Sequence, residues 1–163
     1  MNKQVELFLT ALQRRGVDAA LAVLNEGTSC RFTAVFELDG PNLVNRYLFD
    51  RLGAPRAEYL KVVPFADSFC QIALREGEFR STNTGADSRV DYSPYRGIVV
   101  SYHAVPLLDH ALALRGTLCH FDMVETSLDD HQFSMLRQAA RMLPPFIYGE
   151  ARCRRATDAD ELH

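Results

Sequence analysis

Between Val99 and Asp122 the chain reads V-V-S-Y-H-A-V-P-L, a short spacer, then L-R-G-T-L-C-H-F-D. Two strand-like runs flank a turn, which is the pattern of a β-hairpin. Pro106 closes the first run and Gly116 lies inside the second. A hairpin centred between Ala111 and Leu112 sets His103 directly opposite His120. A slip of one residue puts the two on opposite faces, because strand side chains alternate with period two.

The segments around this hairpin fill in an α+β order. Val5, Phe8, Leu9, Leu12, Ala20, Leu21 and Leu24 fall near helical spacing over Gln4 to Leu24, with Gly16 dividing them into two short helices or one bent helix. Phe32 to Leu38 reads as a strand that turns at Asp39-Gly40 into a partner over Val44 to Phe49. A further strand is expected over Tyr59 to Pro64. Asp67 or Ser68 then caps a helix from Phe69 to about Glu76, stopped by Gly77. Phe79 to Ser81 can form a short strand, and Thr82 to Gly97 reads as a polar loop of the kind that lines sites. Ser127-Leu128-Asp129-Asp130 looks like a capping box for a helix with Phe133, Leu136, Ala140 and Leu143 on its apolar face. Pro144-Pro145 should end it near Met142, with a second helical piece from Phe146 to Arg152. One domain over residues 1–156 is expected, followed by a polar tail over 157–163.

Charge and composition exclude several classes. The formal net charge is −3, and the one tight basic cluster (Arg152, Arg154, Arg155) is followed at once by Asp158, Asp160 and Glu161. That is no surface for nucleic acid. No apolar run is long enough to span a bilayer, and the N-terminus lacks the pattern of a secretory signal, so a cytoplasmic protein without membrane contact is expected. Cys30, Cys70, Cys119 and Cys153 are scattered without a C-x-x-C pair, which argues for free thiols over a structural zinc site.

Six pieces in order resemble the GAF family: S-F-C-Q-I-A-L-R-E-G (Ser68 to Gly77), D-S-R (Asp87 to Arg89), Y-R-G-I (Tyr95 to Ile98), S-Y-H-A-V-P-L (Ser101 to Leu107), G-T-L-C-H-F-D (Gly116 to Asp122) and the closing capped helix. The likeness covers roughly Thr28 to Leu143. It implies a GAF/PAS-like central antiparallel sheet, with N- and C-terminal helices on one face and a ligand pocket under a loop and the middle helix on the other. It also implies binding of a small molecule, a homodimer through the terminal helices, and a separate output protein. Family members bind cyclic nucleotides, bilins, haem, amino acids or small anions.

Within that frame the candidate ligand-binding residues are Ser68, Cys70, Arg89, Tyr95, Ser101 and His103. The start of the middle helix, near Asp67 to Cys70, offers backbone N–H groups to an anion, and Arg89 offers a charge-assisted partner. Tyr92, Tyr95 and Tyr102 can wall a flat ligand. A small polar or anionic ligand of unknown identity is the expectation, and no cofactor is named. Cys70 is the one candidate catalytic residue, since a helix N-terminus can lower a thiol pKa. The resemblance extends to the free methionine-R-sulfoxide reductases, whose catalytic cysteine lies just before the V-P-L strand. Here Asp91 to Gly97 holds no cysteine. His103 and His120, with Asp122, are candidates for haem or a metal. The readings carried forward are therefore a non-catalytic small-molecule sensor, a thiol-dependent reductase and a haem sensor.

Overall fold

A computed structural model describes residues 2–149. Six strands form one antiparallel sheet: β1 (Phe32–Asp39), β2 (Asn42–Asp50), β3 (Val62–Pro64), β4 (Phe79–Ser81), β5 (Ser101–Leu108) and β6 (Leu114–Asp122), in the order β3-β2-β1-β6-β5-β4. The β1–β2 and β5–β6 hairpins are joined at the centre by β1 and β6, with Phe32 opposite Phe121. In the β5–β6 ladder His103 faces His120. The turn centre lies where the sequence sets it, and the ladder slips by one residue only near the tip, between Leu107 and Leu108.

Period two then sorts the side chains into two layers. Val35, Val105, Leu107 and Leu118 pack beneath the terminal helices α1 (Lys3–Arg15), α2 (Val17–Glu26), α5 (Asp130–Met142) and α6 (Pro144–Ile147). Phe32, Ala34, Phe36, Tyr102, Ala104, Cys119 and Phe121 face the other way, toward α4 (Cys70–Glu76) and the loop after β4. Gly16, at φ 97°, ends α1 and lets α2 start in a new direction. Gly77, at φ 91°, stops α4 in the left-handed conformation.

Three local expectations are corrected. Tyr59 to Pro64 is not one strand: Glu58–Lys61 forms a single helical turn, α3, and only Val62–Pro64 pairs with β2. The short edge pairing leaves the preceding residues without a ladder partner, and they coil. The cap of α5 is Asp129, not Ser127. Asp129 Oδ1 accepts from Gln132 N at 2.7 Å, and Gln132 Oε1 accepts from Asp129 N at 2.9 Å. Asp–x–x–Gln closes the box two residues later than Ser–x–x–Asp, and Gln132 also donates to the Gly27 carbonyl at 2.9 Å. The expected helical piece over Phe146 to Arg152 begins earlier, at Pro144, where a proline suits the first turn. It ends at Ile147, short of the expected Arg152; Cys153, the Arg152–Arg155 cluster and the polar tail lie outside the described residues.

Gly116 marks the closest approach of β1 to β6. A Cβ there would lie 2.0 Å from the Phe36 carbonyl oxygen and 3.0 Å from Glu37 Cα, both backbone atoms that cannot move aside. Gly116→Ala should cost about 3 kcal/mol, the upper end for overpacking. In calorimetry that is a fall in Tm of about 6–12 °C for a chain of this size. An unchanged Tm would show that the two strands do not meet as described.

His120 lies fully buried under the helices, and burial pushes its imidazole down to about 3, with His103 and the Arg51 guanidinium acting the same way. Burial also lowers His103, helped by Arg80 and opposed by the Thr126 carbonyl. The unfolded chain, with histidines near 6.5, takes up protons that the folded chain refuses. Stability is therefore complete above about pH 6.5 and lost as pH falls toward 3. At pH 5 the loss from His120 alone is about 2 kcal/mol. Urea titrations of wild type and His120→Gln at pH 7 and pH 5 should show a shallower pH dependence in the variant. Equal slopes would contradict this burial.

Candidate functional site

A cavity of about 40 Å³ opens on the α4 side of the sheet. Its floor is Phe36, Tyr102 and Phe121 from the sheet. Phe69 and Cys70 come from the start of α4, Leu60 and Val63 from α3 and β3, and Tyr95 and Val99 from the loop. The floor is aromatic because this face carries Phe36 on β1 and the cross-strand pair Tyr102 and Phe121 on β5 and β6. Tyr102 packs edge-on against Phe69 at 5.4 Å between ring centroids. Tyr59 and Tyr95 line it as well, and their rings stack at 6.2 Å and 22°. Tyr59 is 39% exposed, whereas Tyr102 is 5% exposed. The Tyr59 hydroxyl also donates to Met123 Sδ at 3.9 Å.

No charged side chain lines this cavity. Its polar groups are neutral. Cys70 Sγ lies 2.7 Å from the Tyr102 hydroxyl and 3.2 Å from Thr117 Oγ1. Burial pushes the Cys70 thiol up and the Tyr102 phenol well up, so both keep their protons at neutral pH. The expectation that the helix start activates Cys70 is thereby reversed. Desolvation exceeds the hydrogen bonds from Thr117 and Tyr102, and α4 has only seven residues. Cys119 is buried behind it and is likewise raised by burial.

The roof is built from the 82–100 segment, which contains two 3-10 turns, Thr84–Ala86 and Ser88–Val90. Thr84 Oγ1 donates to the Val99 carbonyl at 2.6 Å and accepts from Gly97 N at 2.9 Å, closing the segment on itself. The Tyr92 hydroxyl donates to the Ser68 carbonyl at 2.7 Å and Ser93 Oγ to the Asp67 carbonyl at 2.5 Å, tying the roof to the entry of α4. Sequence reasoning missed these four fastenings. Thr and Ser in a polar loop give no sign of which carbonyl they will meet.

The six candidate ligand residues divide three ways. Cys70 and Tyr95 line the cavity, as does Ser68, whose hydroxyl donates to the Phe65 carbonyl at 2.8 Å and accepts from Gln71 N at 3.3 Å. The N–H held in this way is that of Gln71, one residue beyond the Asp67 to Cys70 stretch. Arg89 is elsewhere. Its guanidinium donates to Asp87 at 2.6 and 2.9 Å and to the Arg80 carbonyl at 2.8 Å, and lies over the Phe79 ring. That pairing holds the Asp87 carboxyl down at about 2. Ser101 and His103 point into the helical layer, away from the cavity, as does His120. With Tyr102 and Ala104 facing α4, alternation leaves no other outcome. Asp122 cannot complete a metal site with the histidines, since its carboxylate accepts from the backbone N–H of Arg31 at 2.9 Å and of Met123 at 2.7 Å. Among the described residues no three His, Cys, Asp or Glu side chains cluster to hold a metal ion. No described helix is long and apolar enough to cross a membrane.

No family model and no curated protein matches the sequence. Solved structures do match in shape. The chain is similar to the free methionine-R-sulfoxide reductase from Neisseria meningitidis in complex with its substrate, at 16% identity and TM-score 0.72, over 93% of this chain and 90% of that one. It is similar to the GAF domain of an Acinetobacter phosphoenolpyruvate-protein phosphotransferase, at 13% identity and TM-score 0.73, over 93% and 97%. It is also similar to the chromophore-binding domain of a bacteriophytochrome from R. palustris, at 12% identity and TM-score 0.70, over 91% and 62%. The antiparallel sheet, its order and its two helical layers are the GAF fold.

Proposed function

We propose that this GAF-fold chain is a non-catalytic small-molecule sensor whose ligand is neutral, largely apolar and aromatic-compatible. One observation carries the reading: an aromatic cavity that, among the described residues, has no charged lining group, its polar lining being the Cys70 thiol, the Ser68 hydroxyl and the phenols of Tyr59, Tyr95 and Tyr102. An anion there would lose its hydration with no cation to replace it. The expectation of a polar or anionic ligand joined the start of the middle helix and its tyrosines to Arg89, and the Arg89 guanidinium is paired with Asp87. A haem would need an axial ligand in this cavity, and His103 and His120 lie on the other face of the sheet.

The cavity as it stands holds about three waters by volume. Small-molecule sites run to roughly 300 Å³ and above. Entry therefore requires the Tyr59–Tyr95 stack to part, the roof lifting from α3. Breaking such a stack costs about 1 kcal/mol, a barrier that a buried aromatic guest offsets. The displaced roof, tied to the start of α4, carries the signal to the sheet, and a homodimer through the terminal helices would pass it to an output protein.

A second reading, thiol-dependent reduction of free methionine sulfoxide, is favoured by the place of Cys70 in the cavity lining at the start of α4. Against it stand the protonated thiol and the lack of a cysteine over Asp91 to Gly97. Turnover of free methionine sulfoxide with dithiothreitol, lost in Cys70→Ser, would establish the reductase and end the sensor reading. No turnover is expected. In the native protein Cys70 should react with a thiol reagent at least 100-fold more slowly than in urea, read by mass spectrometry of the Cys70 peptide.

Binding is tested with indole as the neutral probe against benzoate, inorganic phosphate and free methionine sulfoxide. Indole should shift the amide resonances of Tyr59, Tyr95 and Cys70, and the three charged compounds should not. Val99→Phe, which fills the cavity, should weaken indole at least tenfold, or about 1.4 kcal/mol. Tight binding of benzoate or phosphate at these residues would overturn the assignment of a neutral ligand.

A further inference from the structure

The strongest departure from ordinary packing lies on the other face of the sheet. Among the described residues, Ser101 Oγ, His103 Nδ1 and His120 Nε2 are buried without a hydrogen-bond partner, in side chains that are 0%, 2% and 0% exposed. Leaving one such atom unpaired costs about 1–3 kcal/mol, so three together call for an explanation. They are neighbours. His103 and His120 are a direct cross-strand pair, and Ser101 is two residues along β5 on the same face. Side chains so placed have Cβ atoms about 5–7 Å apart, within reach of one bridging molecule.

The protons of this group can be assigned from its surroundings. His103 Nε2 lies 2.9 Å from the Thr126 carbonyl, which only accepts, so the His103 proton is on Nε2 and Nδ1 is a bare acceptor. The Asn25 side chain is oriented by Arg51, which donates to Asn25 Oδ1 at 2.9 and 3.1 Å. Asn25 Nδ2 therefore donates, to the Cys30 carbonyl at 3.0 Å and to Thr33 Oγ1 at 2.9 Å. The Thr33 hydroxyl is left to give its own proton to His120 Nδ1, 2.7 Å away. The His120 proton is then on Nε2, an unfilled donor. The unpaired set is one donor, one acceptor and one hydroxyl that can do either.

We propose that Ser101, His103 and His120 cage one internal water molecule. The water accepts from His120 Nε2–H, donates to His103 Nδ1 and makes its third bond to Ser101, within the two to four partners of a buried water. A metal ion does not suit this group. The only carboxylate in register, Asp122 opposite Ser101, is held by two backbone N–H groups, while Arg51 acts on His120 and Arg80 on His103, both opposing added positive charge. An anion would meet the bare lone pair of His103. Through Asn25 of α2 and the Thr126 carbonyl ahead of α5, the caged water ties the sheet to both ends of the helical layer.

The test uses the full chain with 15N-labelled histidine at pH 7. Long-range ¹H–¹⁵N spectra should show His103 and His120 both protonated on Nε2 only. The Hε2 proton of His120 should give a cross-relaxation peak to a long-lived water. Ser101→Ala should keep both tautomers and shorten the residence of that water at least tenfold. Zinc at millimolar concentration should leave both ring spectra unchanged. A proton on His120 Nδ1, a through-bond coupling between the two rings, absence of the water peak, or a zinc-induced shift would each overturn the proposal. Should Ser101→Ala fail to fold, the tautomers and the water peak of the wild-type chain decide alone.

Discussion

The register of the β5–β6 hairpin governs everything built on it. With His103 opposite His120, the odd residues of β5 face the terminal helices and the even ones face α4. A slip of one residue would part Tyr102 and Phe121 to opposite faces and bring one of the two imidazoles into the cavity. The pairing of β6 with β1 on its other side is held by close contact, where Gly116 lets the Phe36 backbone approach. It is also held by shape across the ladder, where Phe32 stacks on Phe121 at 4.7 Å.

Much of this fold was legible in the sequence because its signals are local. Asp39-Gly40, Gly77 and Pro144-Pro145 mark ends that the structure keeps, and the two runs of the hairpin are the strands β5 and β6. The site was less legible. Both faces of the sheet are buried, so polarity does not alternate along β5, and Ser101 and His103 look as fit for a ligand as Tyr102 does. Which face meets which layer depends on β1 and β6 pairing across about 85 residues of chain, a separation no short window sees. The assignment of Arg89 went astray for a related reason. An exposed arginine near a helix start suggests an anion, but Asp87, two residues away, is the nearer and better oriented partner.

The two faces solve opposite problems with the same sheet. Under the helices, neutral imidazoles and hydroxyls sit in a network anchored by Asn25 and Arg51. Toward α4, aromatic rings surround a small space in which a thiol and a phenol satisfy each other. The fold is shared with a free methionine-R-sulfoxide reductase, the GAF domain of a phosphotransferase and a chromophore-binding domain, so shape alone does not choose among them. The choice falls to the cavity's chemistry, which lacks charge and an ionised thiol and offers an aromatic surface behind two stacked tyrosines.

The most direct test of that account is diffraction from crystals of the chain grown with indole. The account predicts density for a flat molecule against Tyr102 and Phe121, with the Tyr59 and Tyr95 rings moved apart. Indole on the outer surface, with the tyrosine pair still stacked and the cavity unchanged, would contradict it.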